Sequence, residues 1–138
     1  MSAATIPHHD YVYRAQVVKV HDADTIVLLC DLGFDVRVRA TVRVAGINAP
    51  ELATPEGKRA QQWALGWLMG AGPDEWPLVI ASQKAATAIG TEKYGRWMAQ
   101  VWRVSDGTEL GAALIAAGMA VFWDGHGAKP LPTTGGTA

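Results

Sequence analysis

The run Tyr11 to His21 alternates apolar and polar positions and is rich in β-branched residues, and Thr25 to Asp31 is a short apolar run. With the polar Asp22-Ala23-Asp24 between them, they read as two strands joined by a tight turn. A second turn, Asp31-Leu32-Gly33, leads into Phe34 to Val44, where Val36, Val38, Ala40, Val42 and Val44 recur at period two. Asp35, Arg37, Arg39, Thr41 and Arg43 then share the opposite face, so the strand is expected to bury its valines and show its charges to water. Ala45 to Leu52 has no such period and reads as a loop. It ends at Thr54-Pro55-Glu56, a helix start with Thr as N-cap and Pro at the first helical position. Ala60, Trp63, Ala64, Trp67 and Leu68 follow at the spacing of one apolar helix face.

After the Gly/Pro-rich break from Gly70 to Pro77, Leu78 to Gln83 and Trp97 to Val104 read as strands. The second ends at the hairpin signal Asp106-Gly107. Gly111 to Ala117, stopped by Gly118, reads as a short helix. Three β segments, a helix, two more β segments and a second helix exclude a regular parallel βαβ sheet. They predict an α+β, mainly β, domain: a five-stranded Greek-key barrel of the OB type with two or three packed helices. Residues 1–10 and 127–138, rich in small and turn-forming residues, read as flexible tails around a folded domain of residues 11–126.

Thirteen acidic against twelve basic side chains give a net charge of −1, so no whole-molecule basic field draws the protein to nucleic acid or to an anionic membrane. Any phosphate site must therefore be local. The charge-free run Leu110 to Trp123 has 14 residues, too short to span a bilayer, and no secretory signal pattern opens the chain. A cytoplasmic monomer with no membrane partner is expected. Cys30, the single cysteine, lies in the apolar run Ile26 to Cys30 and reads as a buried, inert thiol.

Three polar clusters carry candidate chemistry. Asp22-Ala23-Asp24-Thr25 places two carboxylates in a turn between apolar strands, an arrangement that binds a hard cation or simply caps its own backbone. Arg43-Val44-Ala45-Gly46-Ile47-Asn48-Ala49-Pro50-Glu51 joins a guanidinium to a loop bearing a neutral oxygen and a carboxylate. Arg43 is either part of a functional site or one of a solvated row with Arg37 and Arg39. Glu92-Lys93-Tyr94-Gly95-Arg96 sets an aromatic and two cations at a glycine turn, which suits a grip on phosphate or a plain solvated turn.

Taken together and in this order, the three clusters resemble the staphylococcal nuclease (thermonuclease) family over about residues 13–124. The resemblance implies an OB barrel with helices and a calcium-dependent phosphodiesterase that cuts DNA and RNA with little sequence preference, leaving 3′-phosphate ends. It implies that Asp24 and the Ala49 carbonyl ligate the ion, that Asn48 stands where the family usually places a second aspartate, and that Asp22 is an outer carboxylate. Calcium is the implied cofactor, with magnesium as the alternative ion. Glu51 takes the place of the general base, Arg43 and Arg96 hold the scissile phosphate, and Lys93 and Tyr94 contact a neighbouring phosphate or sugar. In-line attack on a phosphodiester builds negative charge on the phosphoryl oxygens, and pre-set cations beside one base meet that need. Asn48 removes one charge from the ion site, so calcium binding toward the 10⁻⁴ to 10⁻³ M range is expected. The other reading is an OB module that binds nucleic acid without cutting it. Trp123, near the C-terminus, reads either as a base-stacking face or as a core residue.

Overall fold

The computed structural model describes residues 11–82 and 97–123. Five strands close a barrel: β1 (Val12–Asp22), β2 (Thr25–Gly33), β3 (Val36–Val44), β5 (Leu78–Ser82) and β6 (Trp97–Arg103). The order around it is β1-β2-β3-β6-β5, with β5 returning to β1. Among the described residues only the β3–β6 contact is parallel. A two-stranded sheet pairs β4 (Ile47–Asn48) with β7 (Val121–Phe122), and two helices, α1 (Pro55–Met69) and α2 (Leu110–Ala116), complete the described fold. The mainly β barrel expected from the sequence is the one found.

Alternation builds the barrel. Ala15 and Val20 on β1, Ile26, Leu28 and Cys30 on β2, and Val42 and Val44 on β3 point inward to meet Leu78, Ile80, Ala99 and Val101. Burial pushes the Cys30 thiol pKa up, as the reading of an inert thiol requires. On α1, Ala60, Ala64, Trp67 and Leu68 are buried as the period predicts, and Thr54 is the N-cap, its side chain accepting the Gly57 N–H at 3.0 Å. That cap is worth about 1 kcal/mol.

Two features of β3 and its turn depart from expectation. The turn between β2 and β3 lies at Phe34-Asp35, not at Asp31-Leu32-Gly33, and Gly33, Phe34 and Asp35 all have positive φ. Glycine and aspartate accept that backbone readily, but a phenylalanine signals no turn, which is why the sequence pattern put the turn too early. Secondly, Val36 and Val38 are exposed, because among the described residues β6 pairs with β3 only from Val42 to Val44. The period-two face of β3 becomes core only from Ala40 onward.

Candidate active site

The β1–β2 turn is two residues long, Ala23-Asp24, and neither residue has positive φ. A register shift between Val20 and Asp22 takes up the twist instead. Asp22 then stands opposite Thr25 on β2, and Thr25 opposite Arg43 on β3. This cross-strand row belongs to the outward face of the barrel, yet Asp24, Thr25 and Arg43 are only 7%, 5% and 5% exposed.

The roof comes from the segment after β3. Ile47 and Asn48 pair with Phe122 and Val121, and the Trp123 N–H donates to the Gly46 carbonyl at 2.9 Å. That pins residues 46–49 over the row. Asp24 Oδ2 accepts the Ala49 N–H at 2.9 Å and lies 3.4 Å from Arg43 Nη1, while the Thr25 hydroxyl donates to Oδ1 at 3.3 Å. Arg43 Nη1 also donates to the Val44 carbonyl at 3.0 Å, and the guanidinium carbon lies 5.9 Å from the Trp123 ring centroid. Arg43 is therefore not one of a solvated row. Arg37 and Arg39, on the same strand face, are exposed, and only Arg43 passes beneath the roof. Trp123 is half-buried against that guanidinium.

Asn48 is 6% exposed within the same roof. Glu51 lies just beyond it, exposed to solvent, and its main chain is fixed from the helix side. The Glu51 carbonyl accepts both the Thr54 N–H at 3.0 Å and the Thr54 hydroxyl at 2.7 Å. Gly57, in the first turn of α1, packs so closely there that a Cβ on it would come 1.7 Å from the Glu51 carbonyl oxygen. Thr54 and Gly57 thus position the carboxylate-bearing loop. Thr54 was legible as a cap; the need for glycine at position 57 has no signal in the linear pattern.

Asp22, Asp24, Asn48 and Ala49 offer hard oxygen donors of the kind calcium and magnesium take. Among the described residues no three His, Cys, Asp or Glu side chains gather into an all-acidic or imidazole cage. A cation held here would rest on two carboxylates, neutral oxygens and water, a donor set that fits a hard, hydrated and weakly bound ion. Lys93, Tyr94 and Arg96 lie outside the described residues.

The family model described as staphylococcal nuclease homologue matches residues 41–130. The chain belongs to the staphylococcal nuclease family. The matched stretch takes in Arg43, Asn48, Ala49 and Glu51 and also Lys93, Tyr94 and Arg96. Asp22 and Asp24 precede it and reach the same site through the β1–β2 turn. No curated protein matches the chain. No helix among the described residues is long and apolar enough to cross a membrane.

Proposed function

We propose that the protein is a metal-dependent nuclease that hydrolyses phosphodiester bonds of DNA or RNA at the row formed by Asp22, Asp24, Arg43, Asn48 and Glu51. The observation that carries this reading is the pairing of a buried guanidinium with a buried carboxylate beneath a roof of polar loop, Arg43 against Asp24 at 3.4 Å. A buried ion pair is a poor device for stability alone, since desolvation offsets most of its attraction. At an active site it holds a cation ready for charge that develops on phosphate.

Asp24, the Asn48 side-chain oxygen and the Ala49 carbonyl would hold the calcium ion, with Asp22 behind them. The ion's chemistry is Lewis-acid charge stabilisation at the phosphoryl oxygens. Arg43 and Arg96 would clasp the scissile phosphate, and Lys93 and Tyr94 its neighbour. Glu51, exposed at the lip, orients a water and takes its proton as the water oxygen bonds to phosphorus. The bond from phosphorus to the leaving 5′ oxygen breaks, that oxygen takes a proton from solvent, and a 3′-phosphate remains.

Labelled single-stranded DNA incubated with the protein in EDTA, then with calcium or magnesium from micromolar to 10 mM, tests this, calcium binding of this kind falling at about 10⁻⁴ to 10⁻³ M. Cleavage absent in EDTA and restored at high micromolar to millimolar calcium is the expected result. Salt-sensitive binding without cleavage at any metal concentration would instead identify a binding module.

A further inference from the structure

The β2–β3 hairpin ends in a turn whose residues serve nothing in their own chain. Phe34 is fully exposed and stands at φ 54°, with Asp35 beside it at 61°. Asparagine and glycine make a turn of this shape with least strain, and an exposed phenylalanine there repays none of its cost within the monomer. The strand that follows is open as well. Among the described residues β6 pairs with β3 only from Val42 to Val44, so none of them takes the edge of Val36 to Thr41 that faces away from β2. Val36, Arg37, Val38 and Arg39 are all exposed, and a bare edge of this kind accepts another strand.

Beside that edge the barrel is hollow. A cavity of about 340 Å³ has Tyr11, Leu32, Val38 and Trp97 at its mouth and the buried Cys30 and Val42 on its floor. It is lined almost wholly by apolar atoms and has room for an aromatic side chain. Phe34, Val36 and the four mouth residues leave about 600 Å² exposed on each chain, so two copies joined there would bury about 1,200 Å², the lower limit of a specific interface.

We propose that the protein forms a two-fold dimer, in place of the monomer expected from its sequence, by pairing the β3 edges of two copies and setting Phe34 of each into the cavity of the other. A two-fold interface makes every contact twice from one surface, and here plug and socket lie on the same hairpin. Antiparallel pairing centred on Arg37 sets Val36 against the second copy's Val38, and Phe34 against its Ala40, which lines the cavity. The same register sets Asp35 against the second copy's Arg39. Neither residue has an ion pair among the described residues of its own chain. A register centred on Val38 would oppose Arg37 to Arg39 and is disfavoured. On the axis Arg37 meets its own copy, but each guanidinium lies 3.9 Å from Glu75 of its own chain. The hairpin tip and the β1–β2 turn stand at opposite ends of β2, about 27 Å apart at about 3.4 Å per residue, so the Arg43 row stays open in the dimer.

The test is sedimentation equilibrium over about 1 to 200 μM, a range suited to an interface of this size, on wild type, Phe34→Ser, Arg39→Glu and the charge-swapped Asp35→Lys/Arg39→Glu. Wild type should pass reversibly from the 14.7 kDa chain to twice that mass, and its melting temperature should rise with concentration. Phe34→Ser should weaken the dimer at least about tenfold, the scale of a lost aromatic anchor, while melting like wild type at the dilute end. Arg39→Glu should weaken it too, and the charge swap should restore it. Wild type that stays at the mass of one chain throughout the range overturns the proposal. So does a dimer that Phe34→Ser leaves intact, which would place the interface elsewhere. An apolar dye such as ANS bound equally by concentrated wild type and by Phe34→Ser would show a cavity left free for a small molecule, and that result also overturns it.

Discussion

At Asn48 a neutral side chain is 6% exposed within two residues of Glu51's neighbour Pro50 and in the same roof that contacts Asp24. Two opposite unit charges 4 Å apart at an effective dielectric of 20 interact by about 4 kcal/mol, an upper bound that a divalent ion doubles. Asn48→Asp is therefore expected to tighten calcium binding at least about tenfold, a small part of that bound. The same change buries an added negative charge when no ion is bound. Melting temperature read in EDTA should fall relative to wild type and, in 10 mM calcium, recover beyond it, calcium binding of this kind saturating well below that level. A variant that melts alike in both conditions contradicts the ion site. Asp24→Ala strips the carboxylate from a buried guanidinium, from the Ala49 N–H and from the Thr25 hydroxyl at once. It should destabilise the EDTA-treated protein by about 3 kcal/mol, measured by urea unfolding.

At the scale of elements, α1 matters to the site through its first turn. Gly57→Ala would set a methyl 1.7 Å from the Glu51 carbonyl oxygen and 2.9 Å from the Leu52 nitrogen, so the loop or the helix must move. A shift of about 1 Å in a catalytic carboxylate costs about a hundredfold in rate. The expected outcome is a kcat about a hundredfold lower with stability lowered by only about 1–3 kcal/mol, checked by cleavage kinetics and thermal melting on one preparation. A second device ties β6 to α1. Arg103 stacks on Trp67 at 4.4 Å, donates to the Trp67 carbonyl at 3.3 Å and pairs with Asp106, whose carboxyl is held down to about 2 by Arg103 and then by Thr108. A carboxyl depressed by folding stabilises above its ordinary pKa and ceases to as pH falls through its folded value. Melting temperature against pH should show the Asp106→Asn variant below wild type at pH 6, the gap narrowing between pH 4 and pH 2, the interval that the lowered Asp106 pKa sets. The strands, the capped start of α1 and the acidic turn were legible because alternation, Thr54-Pro55 and Asp22-Ala23-Asp24 each state their geometry within a few residues. The β4–β7 pair was not, since two-residue strands joined across more than seventy positions leave no period, and Ala45 to Leu52 accordingly read as a plain loop.

At the scale of the molecule, a chain of net charge −1 sets Arg14, Lys19, Arg37, Arg39 and Arg43 on the outer face of β1 and β3. Residues that lie far apart in sequence, the turn at Asp24, the end of β3 at Arg43 and the roof at Asn48, meet there because the barrel closes and because Trp123 and Val121 hold the roof down. The three polar clusters announced the family from their order alone, and the family match supports that reading. Burial of Arg43 was a different matter: its strand pattern equals that of Arg39, and only the tertiary roof separates them. The measurement that tests the account most directly is single-turnover cleavage of labelled single-stranded DNA in saturating calcium by wild type and by Glu51→Gln, with binding in EDTA and melting temperature read on both. Glu51 is exposed and its backbone, not its side chain, carries the helix contacts, so the variant should melt and bind like wild type while its cleavage rate falls at least about a hundredfold, the scale of a lost general base. Cleavage undiminished in Glu51→Gln would contradict the account, because the carboxylate at the lip of the roofed row would then have no part in the chemistry.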